Sequence, residues 1–217
     1  AKVIIATILL LGSHAVIAGT LHGFVRDTGG QSLGGVMIRV SDPASGMSES
    51  VFSNARGEFA ITTALRGTLT IRLRVPYYRD VNASIELDGG ATIKTEYTME
   101  VMTDPSEISE SLPAAYHFGS LDFETGDEAV FSRYQFQRDC LSCHQMGNAL
   151  SRFPRTPEQW EVTIERMHRY VGSNFDEDLR KRRSHILSQG FNGEPLTVRP
   201  LFPLDDSLSR TKIYEYR

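Results

Sequence analysis

Cysteine is scarce in this sequence, which has only two among 217 residues. Two cysteines cannot staple a small fold with several disulfides, so each domain must depend on its own apolar core. A strong basic field is also missing, because the net charge is -4 and the only basic run is residues 180–183. Nucleic acid is therefore not an expected partner.

Long hydrophobic runs are missing as well. An apolar stretch of nine residues, Val3 to Leu11, follows Lys2 and precedes the small residues that end at Ala18. A helix needs about 20 apolar residues to cross a bilayer, so this stretch is too short. The pattern predicts a secretory signal peptide over residues 1–18, with a retained membrane anchor as the alternative. We expect a periplasmic or extracellular protein, anchored to the membrane if residues 1–18 are retained.

Between residues 19 and 101 the sequence contains a series of short runs in which apolar and polar residues alternate. Turn residues separate these runs, for example at 27–30 and 54–57, where Gly and Asn tolerate positive φ. Such spacing is typical of a β-sandwich. The predicted strands are residues 20–26, 36–41, 48–53, 58–63, 68–75, 82–87 and 92–100.

The composition changes after the last of these strands. Residues 102–126 are rich in acidic residues and Ser, contain Pro, and have no clear periodicity. This stretch is predicted to be a linker that is wholly or partly ordered against its neighbours. Residues 127–217 then follow as a second domain, in which the periodicity is helical.

Both cysteines lie in the second domain, within the five residues Cys140-Leu141-Ser142-Cys143-His144. This C-x-x-C-H pattern is typical of c-type haem attachment. Two thiols at this spacing can form thioethers to the two vinyl groups, and the adjacent His144 is then held under the iron. We expect one covalently bound haem c, with His144 as an iron ligand.

Two other uses of a C-x-x-C pair fit the sequence less well. A thioredoxin-type redox pair stands at the start of a helix, whereas residues 128–139 predict a helix that runs into the motif. A structural zinc site normally needs four ligands, and the sequence has no second cysteine pair. Haem attachment is therefore preferred.

Met167 is the preferred ligand for the other side of the iron. Residues 156–159 read Thr-Pro-Glu-Gln and predict a capped helix start. From there Trp160, Ile164, Met167 and Val171 share one stripe at helical spacing, which predicts that Met167 points inward with Trp160. A methionine on such a stripe is often only a core residue, so a histidine ligand and an open iron site remain alternatives.

Several other side chains bear on the predicted haem site. Met146 is too close to His144 in sequence to reach the opposite face of a haem. His168 is expected at the edge of the stripe, and His185 is a weaker ligand candidate, in a second helix capped by Ser173 or Asn174. Arg152 and Arg155 are candidates to pair with haem propionates.

The basic run at residues 180–183 also has two interpretations. A solvated helix face, partly balanced by the acidic residues at 176–178, is preferred. A docking patch for an acidic redox partner is the alternative, since charge there would speed the encounter.

Residues of the first domain resemble the carboxypeptidase regulatory-like domain. The similarity lies in residues 23–27, 30, 33–36, 54–59 and 65–70, which read GFVRD, G, LGGV, NARGEF and LRGTLT. The resemblance implies a transthyretin-like or Ig-like sandwich that acts as a folding or adhesion module. It implies no catalytic site, because the matching positions are turn and core positions.

Residues of the second domain resemble a monohaem cytochrome c domain. The similarity lies in residues 140–144, in TPEQW at 156–160 and in ERMHRY at 165–170. Such domains occur between a carboxypeptidase regulatory-like sandwich and a streptogramin-lyase-like propeller, and residues 211–217 resemble the strand that leads into that propeller. No propeller follows in this sequence, so no lyase activity is inferred.

Together these patterns predict a multidomain protein, with an all-β sandwich followed by an all-α cytochrome c domain that ends in a C-terminal extension. The expected cofactor-binding residues are Cys140, Cys143, His144, Met167, Trp160 and Arg152. The expected function is single-electron transfer to or from a periplasmic redox protein or dehydrogenase. A haem-based ligand-binding or sensory module, and a non-catalytic subunit of a larger membrane or extracellular redox complex, are the alternatives.

Overall fold

The computed structural model describes residues 17–125, 132–172, 176–202, 204–205 and 207–216. The chain divides into two units, one formed by residues 1–101 with 203–217 and the other by residues 102–202. The predicted signal peptide lies outside the described residues except for its last two positions. Among the residues that are described, no helix is long and apolar enough to cross a membrane.

The first unit is a sandwich of two β-sheets, and all seven predicted strands are confirmed to within two residues at either end. One sheet has the order β4-β1-β7, and the other has the order β6-β5-β2-β3 with an eighth strand beside β3. The seven strands are β1 Gly19–Asp27, β2 Met37–Ser41, β3 Ser48–Phe52, β4 Glu58–Thr63, β5 Gly67–Arg74, β6 Val81–Leu87 and β7 Thr92–Met99.

Alternation along the strands builds the core of this sandwich. Side chains in a strand point to opposite faces in turn, so every second residue enters the space between the sheets. Leu21 and Val25 of β1 are fully buried there, together with Ile38 of β2 and Leu69 of β5. Gly57 makes the β3–β4 connection possible, because its φ is +77° and a Cβ atom would lie 2.4 Å from the carbonyl oxygen of Val25.

The eighth strand comes from the end of the chain. β8, Ile213–Glu215, pairs antiparallel with β3. This segment was expected to extend the second domain and to lead into a propeller, but it instead forms an edge strand of the sandwich. Charge explains its position, since Lys212 Nζ lies 2.7 Å from the buried carboxylate of Glu49 and Glu215 accepts from Arg39 at 3.0 Å.

The second unit is helical in its described residues. Its core joins residues from four of the helices and from the loops between them: Phe118, Leu121, Phe123, Phe136, Met146, Trp160, Ile164, Ile186, Leu187 and Phe191. The helices are α1 Pro105–Ser111, α2 Ala114–Gly119, α3 Arg133–Cys140, α4 Pro157–Tyr170 and α5 Glu177–Gly190.

Residues 102–125 of the predicted linker contain two short helices and group with this helical unit, which agrees with a linker ordered against its neighbours. Asp104 caps α1 by accepting from the backbone N–H of Ser106, and α2 follows closely. Ile108 and Phe118 are both buried. Each helix is only about two turns long and buries very few apolar side chains, so it leaves no periodic signal in the sequence.

Candidate cofactor site

Helix α3 carries the first half of the C-x-x-C-H motif. It begins with a capping box, in which Ser132 accepts from the N–H of Gln135 and the Gln135 side chain accepts from the N–H of Ser132. Cys140 is its last residue, so the predicted helix does run into the motif. The earlier part of that prediction, residues 128–131, lies outside the described residues.

The two thiols have different surroundings. Cys140 is half-buried and packs against the core of the helical unit, whereas Cys143 is exposed. Burial raises the pKa of the Cys140 thiol to about 12, although the nearby Arg183 opposes the shift. Cys140 is therefore a neutral thiol at neutral pH.

His144 is exposed, and its Nδ1 lies 3.0 Å from the backbone carbonyl oxygen of Gln145. A carbonyl oxygen can only accept, so Nδ1 is the donor in this contact and Nε2 takes no part in it. This arrangement is the one that a metal-binding imidazole requires.

The loop after the motif is pressed against α2. Met146 is buried in the core. Gly147 has a φ of +90°, and a Cβ atom there would lie 2.2 Å from the carbonyl oxygen of Ala114. Only glycine fits this approach, so the position of the motif relative to α2 depends on it.

Helix α4 begins as predicted but its apolar stripe is shorter. Thr156 and Gln159 form the capping box, and Trp160 and Ile164 are buried. Met167 is only half-buried. Val171 is 56% exposed, so its place on the stripe was wrong; the helix ends at Tyr170 and Val171 is its C-cap.

Trp160 and Arg152 each hold a buried N–H group without an acceptor among the described residues. The Trp160 side chain is 3% exposed, and its Nε1 has no hydrogen-bond partner there. The guanidinium of Arg155 lies 4.7 Å from the centre of the same indole. Arg152 pairs with Glu110 through Nη2, but its Nε has no partner. Buried donors without acceptors are costly, so both groups are suited to an anionic ligand.

A buried arginine links three helices near the motif. Arg183 of α5 is 1% exposed; its Nη2 donates to Asp139 of α3, and its Nη1 lies 2.9 Å from Nε2 of His168 on α4. We call Asp139, Arg183 and His168 the interhelical triad. Burial opposes ionisation of Asp139, yet hydrogen bonds from Arg138 and Arg183 outweigh it and lower the pKa of this carboxyl. Burial and the adjacent Arg183 lower the pKa of His168, which suits its role as an acceptor.

The interhelical triad corrects one part of a sequence interpretation. The basic run 180–183 was expected to be a solvated helix face partly balanced by the acidic residues at 176–178. Lys181 and Arg182 are exposed, and Lys181 pairs with Glu177 as expected, but Arg183 is buried. His168 is tied to Arg183, whereas His185 is exposed on α5. The predicted caps Ser173 and Asn174 lie outside the described residues; Asp176 caps α5 by accepting from Leu179 N–H at 2.8 Å.

His117 is a buried polar residue that the sequence did not point to. It is 5% exposed, and its Nε2 donates to the carbonyl oxygen of Ser109 at 2.9 Å. Burial, and then the positive charge of Arg152, lower its pKa. A single histidine between Tyr116 and Phe118 carries no pattern from which this could be predicted.

Within the described residues, no group of three or more His, Cys, Asp or Glu side chains is placed to hold a metal ion. A cleft of about 490 Å³ lies in the sandwich, beside Arg39, Asp42 and Arg72. Both of these arginines already pair with carboxylates, Arg39 with Glu215 and Arg72 with Asp80.

Two solved structures illustrate the similarity of part of the chain to known proteins, both at low identity and low TM-score. Hydroxyquinol 1,2-dioxygenase from Pseudomonas putida DLL-E4 is 14% identical, with a TM-score of 0.34 over 40% of this chain and 57% of the other. The minor pilin of Streptococcus agalactiae is 11% identical, with a TM-score of 0.35 over 41% and 46% of the two chains. The chain thus spans about half the length of either protein, slightly more for the dioxygenase and slightly less for the pilin.

No curated protein matches the sequence. The family model of the carboxypeptidase regulatory-like domain matches residues 20–100, which are the strands β1 to β7. The resemblance of residues 23–27 and 54–59 to this family is therefore confirmed. The all-β sandwich of residues 20–100 is a carboxypeptidase regulatory-like domain.

Proposed function

We propose that this protein is an exported c-type cytochrome, which carries one covalently bound haem and transfers single electrons to or from a redox partner. The observation that carries the proposal is the motif at the end of α3. There Cys140 ends the helix, Cys143 and His144 follow it, and His144 uses Nδ1 rather than Nε2 in its contact with Gln145. This is the chemistry that c-type haem attachment requires.

The residues proposed to hold the haem are those of the motif and two buried donors. Cys140 and Cys143 would form the two thioethers, and His144 Nε2 would bind the iron. Trp160 Nε1 and Arg152 Nε, both buried without acceptors among the described residues, would donate to the propionate carboxylates. When bound, haem would supply one-electron exchange between ferric and ferrous iron.

Met167 is the proposed second iron ligand. It lies on α4, next to His168, which the interhelical triad connects to Asp139 beside Cys140. The helix that carries Met167 is thus joined to the helix that carries the motif. Two protein ligands held on connected helices would move little on a change of oxidation state, which suits electron transfer.

A thiol–disulfide redox role fits these residues less well. Reactive C-x-x-C thiols lie at helix N-termini, where the dipole stabilises the thiolate. Cys140 instead lies at the C-terminal end of α3, and its pKa is raised to about 12 by burial. A neutral, half-buried thiol is a poor nucleophile.

The proposed location is the periplasm or the cell exterior. The predicted signal peptide supports export, and haem c is attached outside the bacterial cytoplasm. The proposed partner is a periplasmic redox protein or dehydrogenase, free or within a membrane complex.

A haem-based ligand-binding module is the second candidate. The observation in its favour is that Met167 is only half-buried, which suits an exchangeable ligand as well as a fixed one. In that case a small molecule would replace Met167 at the iron.

Absorption spectra of the protein made with haem c maturation machinery test both candidates. We expect covalent haem in the wild type, a Met-to-iron charge-transfer band in the ferric form, and no shift when carbon monoxide is added to the ferrous form. Met167→Ala should lose the band, whereas Met37→Ala, a half-buried methionine of the sandwich, should keep it. Ready carbon monoxide binding by the wild type, indifferent to Met167, would favour ligand binding. A protein without covalent haem would overturn both.

A further inference from the structure

We propose that Arg183 and His168 are positioning residues, which hold the helix that carries Met167 in register with the helix that carries the C-x-x-C-H motif. The inference rests on the proposed function, because it assigns to these residues the geometry of the second iron ligand. It concerns residues that the motif does not include.

The first step of the argument is where the two contacts lie. Asp139 directly precedes Cys140, and His168 directly follows Met167. Arg183 donates to both, through Nη2 to Asp139 and through Nη1 to His168 at 2.9 Å. The interhelical triad thus joins α3 and α4 at the residues next to the proposed thioether and the proposed ligand.

The second step is the shape of the guanidinium. Its planar fork directs two N–H groups at fixed angles, so it fixes the separation of two acceptors. A lysine offers a single flexible nitrogen and cannot impose the same geometry. Arg183 therefore specifies how α3 and α4 lie against each other.

The third step is the energetic cost. Arg183 is 1% exposed, and the Asp139 side chain is 11% exposed. A buried ion pair often adds little net stability compared with an apolar core of the same volume. Such a pair is more useful for fixing one arrangement of the helices than for holding the unit together. The position of the pair beside the proposed haem residues indicates what that arrangement serves.

Two variants of His168 separate geometry from simple packing. His168→Leu removes the acceptor on α4 but leaves the Arg183–Asp139 pair intact, so no buried charge loses its counterion. His168→Gln keeps an acceptor for Arg183. His185→Leu, at an exposed position of α5, is the matched control. Arg183→Lys is a further variant, which keeps the charge but not the fork.

The haem-loaded full chain is the material for these measurements. For His168→Leu we expect unchanged helical circular dichroism, covalent haem, loss of the Met-to-iron band, a lowered reduction potential, and carbon monoxide affinity of the ferrous form raised by about tenfold or more. His168→Gln and His185→Leu should retain the wild-type band and potential. Arg183→Lys should follow His168→Leu.

Three results would overturn the inference. One is a His168→Leu protein with the band, potential and carbon monoxide affinity of the wild type. Another is a His168→Gln protein that loses the band to the same extent as His168→Leu, since the acceptor would then be irrelevant. The third is a wild-type protein that carries haem but shows no Met-to-iron band, which would also reject Met167 as the ligand. A wild-type protein without any haem would instead reject the proposed function itself.

Discussion

Gly147 lies against Ala114 so closely that a Cβ atom on the glycine would come within 2.2 Å of the alanine carbonyl oxygen. The contact joins the loop after the C-x-x-C-H motif to α2. Gly147 also has a φ of +90°, which residues other than glycine rarely adopt. The local backbone next to the motif therefore depends on the absence of one side chain.

Gly147→Ala should destabilise the helical unit by roughly 2–3 kcal/mol, because both the clash and the strained φ must be relieved. Urea unfolding followed by circular dichroism measures the change. Gly172→Ala is the matched control, since its φ is +67° but its Cβ would meet no atom of the described residues within 4 Å. The free energy of unfolding of Gly172→Ala should fall by only about 1 kcal/mol, because the backbone must still hold a positive φ but no clash is added. Equal losses in the two proteins would contradict the steric explanation.

Lys212 provides a test of the C-terminal strand. Its Nζ pairs with Glu49, whose side chain is 7% exposed, and also donates to the carbonyl oxygen of Thr62 at 2.6 Å. Lys212→Met should lower the free energy of unfolding of the sandwich by about 2 kcal/mol, because it leaves a buried carboxylate unpaired.

A double variant gives the control for this prediction. Glu49→Gln combined with Lys212→Met removes the buried charge together with its partner, so we expect much of the lost stability to return. Thermal melting of the two proteins and the wild type measures the difference. A double variant no more stable than Lys212→Met would show that the pairing of β8 with β3 does not depend on this contact.

The strands were predictable because their signal is local. All but β3 alternate over five to nine residues between turn residues, and all seven appear where they were predicted. The capping boxes at Ser132 and Thr156 are local in the same way. By contrast, β8 pairs with a strand more than 160 residues earlier in the chain, and no local pattern encodes the partner.

The burial of Arg183 also could not be predicted from the local sequence pattern. Four consecutive cations at residues 180–183 turn by about 100° per residue, so a helix must direct them to different sides. Which one faces inward depends on where Asp139 and His168 lie, and both belong to other helices. The C-x-x-C-H motif could be recognised from five consecutive residues, whereas the contacts around it could not be predicted.

His117 should make the stability of the helical unit depend on pH. Its folded-state pKa lies below the ordinary value of 6.5, mainly because of burial. As the pH falls below about 6.5 the unfolded chain binds a proton that the folded state resists, so the free energy of unfolding decreases. The decrease continues to the folded-state pKa and then levels off.

His117→Gln keeps a donor for Ser109 but cannot titrate. We expect the loss of stability between pH 7.5 and pH 5 to be smaller in this variant than in the wild type, as measured by urea unfolding across that range. His185→Gln, at an exposed position, should leave the pH dependence unchanged. An identical slope in His117→Gln and the wild type would mean that His117 binds its proton equally well in both states.

Cys140 and Cys143 should differ sharply in reactivity when the protein is made without haem. Cys143 is exposed, whereas Cys140 is half-buried with its pKa raised to about 12, and alkylation requires the thiolate. We expect iodoacetamide at pH 8 to modify Cys140 at least about a hundredfold more slowly than Cys143. Mass spectrometry of the single variants Cys140→Ser and Cys143→Ser measures each rate, and unfolding in urea should make the two rates similar.

Equal rates in the folded protein would contradict this description of the Cys140 thiol. If the difference is found, it also bears on how haem is attached. A thiol that is half-buried and protonated in the folded protein would also react slowly with the vinyl group of a porphyrin. The thioether at Cys140 would then have to form before α3 packs against the core, so attachment would precede completion of the fold rather than follow it.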